Sequence, residues 1–158
     1  MRNRFDEQLS LLNKELIEMG SLCEEVISLS VTSLVEGDLS KAKGVARIDN
    51  EIDQMERQIE SICLKMLLQQ QPVAHDLRQI SAALKMITDM GRIGAQAADI
   101  AEIIPFLNGR TGSECEDIRL MASAAAGMVT DSIDAYVKQD VDMANNVILR
   151  DDVVDNYF

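Results

Sequence analysis

Two acidic residues four positions apart on a predicted helix are the first candidates for chemistry in this sequence. Asp49 and Asp53 lie in the stretch RIDNEIDQMERQIE, residues 47–60, and each directly follows an apolar residue, Ile48 or Ile52. Residues four apart project from one face of a helix, so both carboxylates can reach the same cation. Oxygen ligands favour Mg²⁺, Mn²⁺, Ca²⁺ or iron over a metal held by thiolates. The spacing therefore predicts a metal site at this pair.

A second pair with the same spacing, Asp151 and Asp155, supports that interpretation because it recurs near the end of the chain. The alternative is a solvated helix flank, since an acidic row beside an apolar row is common on bundle helices. Arg47, Arg57 and Arg150 are close enough in sequence to pair with these carboxylates. Both interpretations stay open at the level of the sequence.

The helices that must carry these residues are visible as apolar positions alternating at spacings of four and three. A first helix is predicted over residues 3–36, with Gly37 suited to its C-terminal cap and Asp38 to the next N-cap. The second helix is predicted to run to about Gln70, and Pro72 is expected in the first turn of the third. A fourth helix is predicted over 114–139 and a fifth from Asp140.

The same spacings predict which side chains face inward. The third helix carries small residues that let a neighbouring backbone approach closely: Gly91, Gly94, Ala95, Ala98 and Ala101. The expected core of the first three helices consists of Leu12, Leu16, Ile52, Ile59, Leu84 and Ile87.

An internal repeat organises these helices. A shift of 102 positions aligns residues 16–56 with 118–158 without a gap and gives nine identities, with Asp38 over Asp140 and both aspartate pairs in register. The sequence thus predicts an all-α fold of tandem three-helix antiparallel bundles. Residues 1–108 form the first unit, 109–113 a linker, and 114–158 the first part of a second, incomplete unit. We expect either that this chain is a fragment, or that another chain supplies the apolar seam missing from the second unit.

Composition narrows the classes of function. The 158 residues include 15 basic and 27 acidic side chains, a net charge of -12 that opposes nucleic acid and anionic lipid surfaces. Three separate cysteines without a CxxC pair, no apolar run of about 20 residues and no signal peptide predict a cytoplasmic protein without membrane insertion. His75 is the only histidine and no glutamate lies three residues before it, so the sequence predicts neither a catalytic Cys/His pair nor a Glu-x-x-His di-iron site.

Residues 70–102, QQPVAHDLRQISAALKMITDMGRIGAQAADIAE, resemble the PhoU family of phosphate-uptake regulators. The likeness lies in the QPVA.DLR turn, the LK...D run and the RIG..A..IAE ending, and the DNEID stretch and the tandem repeat agree with it. The resemblance implies two three-helix bundles and metal clusters bound through E/D-x-x-x-D pairs, for which Asp49/Asp53 and Asp151/Asp155 are the matching positions. Where the family typically has ERIGD, this chain has Gly91 and Ala95 in place of the two acids, which weakens the first cluster.

The resemblance also implies a function. PhoU-like proteins are not enzymes; the chain is expected to be a homodimeric adaptor between the ATPase of a phosphate ABC transporter and a phosphate-sensing histidine kinase, repressing starvation genes when phosphate is plentiful. The sequence does not identify the face that contacts these partners. Two alternatives share the fold: a metal-binding carboxylate bundle that does metal chemistry, and a purely structural helical scaffold.

Overall fold

Helices make up nearly all of the chain in the computed structural model, which describes residues 2–69, 71–110 and 115–158. The elements are α1 (Arg2–Glu36), α2 (Leu39–Gln69), α3 (Ala74–Ile103), a 3₁₀ turn (Ile104–Leu107), α4 (Glu116–Lys138) and α5 (Val141–Asp155). Helices α1, α2 and α3 pack on one another, α4 packs along α1, and α5 packs along α4. The all-α prediction is confirmed, and the helix boundaries agree with the predicted ones to within about two residues.

The turn that ends α1 recurs at the end of α4, as the repeat predicts. Gly37 and Gln139 both have left-handed backbones, with φ of 64° and 53°. The following aspartates then cap the next helices: Asp38 Oδ1 accepts from the backbone N–H of Lys41 at 3.1 Å, and Asp140 Oδ1 accepts from that of Met143 at 3.0 Å. Because these hydrogen bonds are local, the same residue pattern produces the same turn twice.

The first three helices enclose one hydrophobic core. Five of the six side chains expected there are at most 2% exposed: Leu12, Leu16, Ile52, Ile59 and Ile87. Leu84 is only partly buried and packs against the edge of this core. Apolar residues spaced three or four apart form a stripe wide enough for the helix to rotate about its axis and still bury most of them. A side chain at the margin of that stripe can therefore be only half-buried.

The structure corrects the position of Pro72. Helix α3 begins at Ala74, with Val73 as its N-cap in an extended conformation, so Pro72 precedes the helix. The cap lies there because Asp76 Oδ2 accepts a hydrogen bond from the backbone N–H of Val73 at 3.3 Å. His75 is exposed in the first turn of α3. Most of the predicted linker, residues 111–113 of 109–113, lies outside the described residues.

Helix α4 packs on the first bundle along much of its length, and three of the contacts are specific. A Cβ atom built on Gly20 of α1 would overlap the Cδ1 atom of Ile133, so the glycine forms a socket for that side chain. The Tyr136 hydroxyl donates to the Gln79 carbonyl oxygen of α3 at 2.8 Å. Thr130 donates to Glu24 of α1 at 3.1 Å. In the described ranges, no helix is long and apolar enough to cross a membrane.

Candidate functional site

The acidic row of α2 consists of Asp49, Asp53, Glu56 and Glu60, and two of its members, Asp49 and Glu56, contact α3. Ile48 and Ile52 are buried, and the residue after each therefore lies about 100° further round the helix, at the margin of the core. Asp49 is half-buried there and Asp53 is exposed. The structure thus places both aspartates of the first predicted pair on one helix face.

Opposite this row, α3 presents glycines instead of side chains. A Cβ atom built on Gly91 would overlap Glu56 Oε2 and lie 3.1 Å from Glu56 Cδ. A Cβ atom built on Gly94 would lie 2.7 Å from Asp49 Oδ1. Beside these two glycines the space is occupied by two carboxylates of α2, and the predicted close approach of a neighbouring backbone stays a prediction.

Partial burial and neighbouring acids perturb both carboxylates. Burial, followed by the charges of Asp53 and Asp99, raises the pKa of Asp49. Burial, followed by the charges of Asp53 and Glu60, raises the pKa of Glu56, while Arg57 opposes that change. Removal from water disfavours the ionised carboxylate, and each like charge adds to this effect.

The remaining predicted ligands have other surroundings. Asp53 Oδ2 pairs with Arg57 Nη2 at 3.1 Å on the exposed side of α2, the type of pairing expected for a solvated flank. Asp151 and Asp155 are exposed on α5. The neighbouring Arg150 pairs instead with Asp131 of α4.

The four predicted aspartate ligands can now be compared with what a bound metal ion needs. Within the described residues, no group of three or more His, Cys, Asp or Glu side chains is close enough together to hold an ion. Mg²⁺ takes six ligands and Ca²⁺ six to eight, and dedicated protein sites supply several of them. Each aspartate pair by itself fits poorly. Metal binding at Asp49, Asp53, Asp151 and Asp155 stays a prediction.

Sequence reasoning missed a groove where α3 meets the junction of α4 and α5. It has a volume of about 480 Å³, and His75 and Arg78 stand on its α3 side while Tyr136 and Asp140 stand on the other. Arg78, Lys85 and Arg92 follow one another at intervals of seven residues on α3, and Lys85 and Arg92 both pair with Asp89. The groove depends on how α4 docks on the first bundle, and the one sequence signal for that docking is Gly20, a glycine inside the long helix α1.

Comparison with known proteins matches this architecture closely. The family model described as PhoU domain matches residues 16–104 and again 118–158. A relative from Clostridium acetobutylicum, named phosphate-specific transport system accessory protein PhoU homolog, is 37% identical over 99% of this chain and 73% of its own length. A relative of the same name from Pseudomonas putida is 33% identical over 98% of this chain, which spans 61% of that protein.

The structural comparison agrees. The crystal structure of PhoU from Pseudomonas aeruginosa superposes with a TM-score of 0.89 at 33% sequence identity, covering 97% of this chain and 74% of that one. The two matches to the family model begin 102 residues apart, the same interval as the internal repeat. This chain belongs to the PhoU family.

Proposed function

We propose that this chain is a cytoplasmic regulator of phosphate uptake and phosphate-starvation signalling. It acts as a non-enzymatic adaptor between the ATPase of a phosphate ABC transporter and a phosphate-sensing histidine kinase. The observation that carries the proposal is the similarity over nearly the whole chain to relatives named phosphate-specific transport system accessory proteins.

The chemistry of the side chains supports docking rather than catalysis. Burial raises the pKa of the Cys23 thiol to about 12, and burial with the charge of Glu60 raises that of Cys63 to about 11. Neither thiol forms a useful fraction of nucleophilic thiolate near neutral pH. His75 is exposed, and the acids near Asp49 lie on a helix flank. The chain instead provides a long helical surface for docking, because the 35 residues of α1 span about 50 Å as a helix.

We further propose that the assembled protein is a homodimer. Helix α5 exposes large apolar side chains whose spacings of seven and eight residues place them within about 100° of one another around the helix, with Val141 at 72% and Ile148 and Leu149 at 69% each. Contiguous apolar surface of this kind marks interaction sites in soluble proteins. Light scattering over a range of concentrations tests this: Ile148→Ser/Leu149→Ser should shift the protein toward the monomer, whereas an unchanged mass would contradict this interface.

The adaptor role is tested by capture and by complementation. The purified chain should retain both the transporter ATPase and the kinase in separate pull-downs, and its gene should restore repression of a phosphate-starvation reporter in a strain lacking its own copy. Both assays are repeated with Arg78→Glu, which changes a charge at the groove. Arg4→Glu, which makes the same charge change on the exposed surface of α1, is the control. A chain that represses the reporter but captures neither protein would contradict the adaptor proposal.

A further inference from the structure

The contact between α2 and α3 differs from the metal site that the family resemblance implies. In that resemblance, positions 91 and 95 carry acids that face the α2 pair; here they are Gly91 and Ala95. The volume beside Gly91 is taken by the Glu56 carboxylate, since a Cβ atom there would overlap Oε2. A glutamate at position 91 and the present conformation of Glu56 cannot exist together.

Beside the second glycine of α3, Gly94, which the ERIGD motif shares, a carboxylate of α2 also fills the space. Beside Gly94 lies Asp49 Oδ1, 2.7 Å from the position of a Cβ atom, and Ile52 Cδ1 lies 3.2 Å from it. Asp49 is thus packed against the α3 backbone together with a core side chain. Its partner Asp53 points to the exposed side, where it pairs with Arg57. The two carboxylates of the predicted pair therefore have different neighbours.

The donor count then decides against an ion at this contact. Asp49, Asp53 and Glu56 of α2 carry carboxylates here, but Asp53 already pairs with a guanidinium. Among the described residues, no three or more acidic, His or Cys side chains are close enough together to hold an ion. The facing positions on α3, Gly91 and Ala95, have no side-chain oxygen. Octahedral Mg²⁺ or Mn²⁺ would have to complete its shell with water and displace Arg57. The contact is instead completed by packing.

We propose that the α2–α3 contact of the first repeat holds no metal and is closed by its own side chains, with the Glu56 carboxylate over Gly91 and the Asp49 carboxylate over Gly94. The Glu56 carboxylate of α2 thus fills the space beside position 91, where the family resemblance implies an acid on α3. The inference concerns one helix contact and goes beyond the proposed regulatory function.

The test restores the missing ligands. All proteins carry Asp151→Asn/Asp155→Asn, which removes the exposed pair of α5 from the measurement. The restored variant is Gly91→Glu/Ala95→Asp with Glu56→Ala, which clears the space beside position 91. Its matched control has the same shape without charge: Gly91→Gln/Ala95→Asn with Glu56→Ala. Each protein is stripped with a chelator, loaded with Mn²⁺, desalted and assayed for bound manganese and for Tm by circular dichroism.

The otherwise unchanged protein should retain no Mn²⁺, and its Tm should be the same with and without the ion. The restored variant should retain stoichiometric Mn²⁺ and show a Tm that rises with its concentration, because an ion that binds only the folded state stabilises it. The uncharged control should do neither. Stoichiometric Mn²⁺ in the protein with Gly91, Ala95 and Glu56 intact, lost on Asp49→Asn/Asp53→Asn, would overturn the proposal. So would a restored variant that binds no more Mn²⁺ than the control.

Discussion

The socket at Gly20 predicts that Gly20→Ala destabilises the parent chain but stabilises a variant that lacks the Ile133 side chain. In the parent chain, Gly20→Ala places a methyl group onto Ile133 Cδ1. Overpacking of this kind costs about 1 to 3 kcal/mol, and the better helix propensity of alanine returns about 1 kcal/mol. We therefore expect the parent to lose up to about 2 kcal/mol of unfolding free energy on Gly20→Ala.

In the background of Ile133→Ala, the same substitution should stabilise the protein. Ile133 is 4% exposed, so its truncation should by itself cost about 2 to 5 kcal/mol, but it also empties the space beside Gly20. The methyl group of alanine then enters that space, and only the gain of about 1 kcal/mol in helix propensity remains. The coupling energy between the two positions should be about 1 to 3 kcal/mol.

Urea denaturation followed by circular dichroism at a fixed protein concentration measures all four corners of this cycle. The control background is Ile148→Ala, because that side chain is 69% exposed on α5 and does not contact Gly20. There, Gly20→Ala should destabilise as much as it does in the parent. An effect of Gly20→Ala with the same sign and size in the Ile133→Ala background would refute the socket.

Three further predictions address the core, the thiols and the acidic row. Leu16→Ala should lower the unfolding free energy by about 2 to 5 kcal/mol in urea melts, because the side chain is 0% exposed; a loss below about 1 kcal/mol would contradict its place in the core. A thiol reagent should modify Cys115 in the folded protein but reach the buried Cys23 and Cys63 only after unfolding, as mass spectrometry can show. Glu56→Gln should raise the Tm at pH 7, since folding raises the pKa of Glu56 and so disfavours its charge. That gain should fade as the pH falls toward the ordinary carboxyl value of 4.5, and a gain independent of pH would exclude this cause.

The sequence determined the helices and the turns between them, because both are set by interactions between residues close in the chain. The spacing of Leu12, Leu16 and their successors specifies an amphipathic helix wherever it packs. The Asp38 and Asp140 caps follow from hydrogen bonds that reach only three residues. The periodicity also identified most of the core, and it placed Asp49 and Asp53 on one helix face. It could not fix the rotation of α3 that leaves Leu84 half outside.

Only the tertiary structure decided what stands opposite each side chain. Whether an acid on α2 meets a ligand, an arginine or a glycine depends on the axial offset and rotation between two helices, and the spacing within one helix contains neither quantity. The docking of Ile133 into Gly20 and the packing of Glu56 over Gly91 depend on those two quantities. For the same reason the sequence could name the acidic row but not its surroundings, because a pattern along one helix specifies a face and the neighbouring helix specifies what that face contacts.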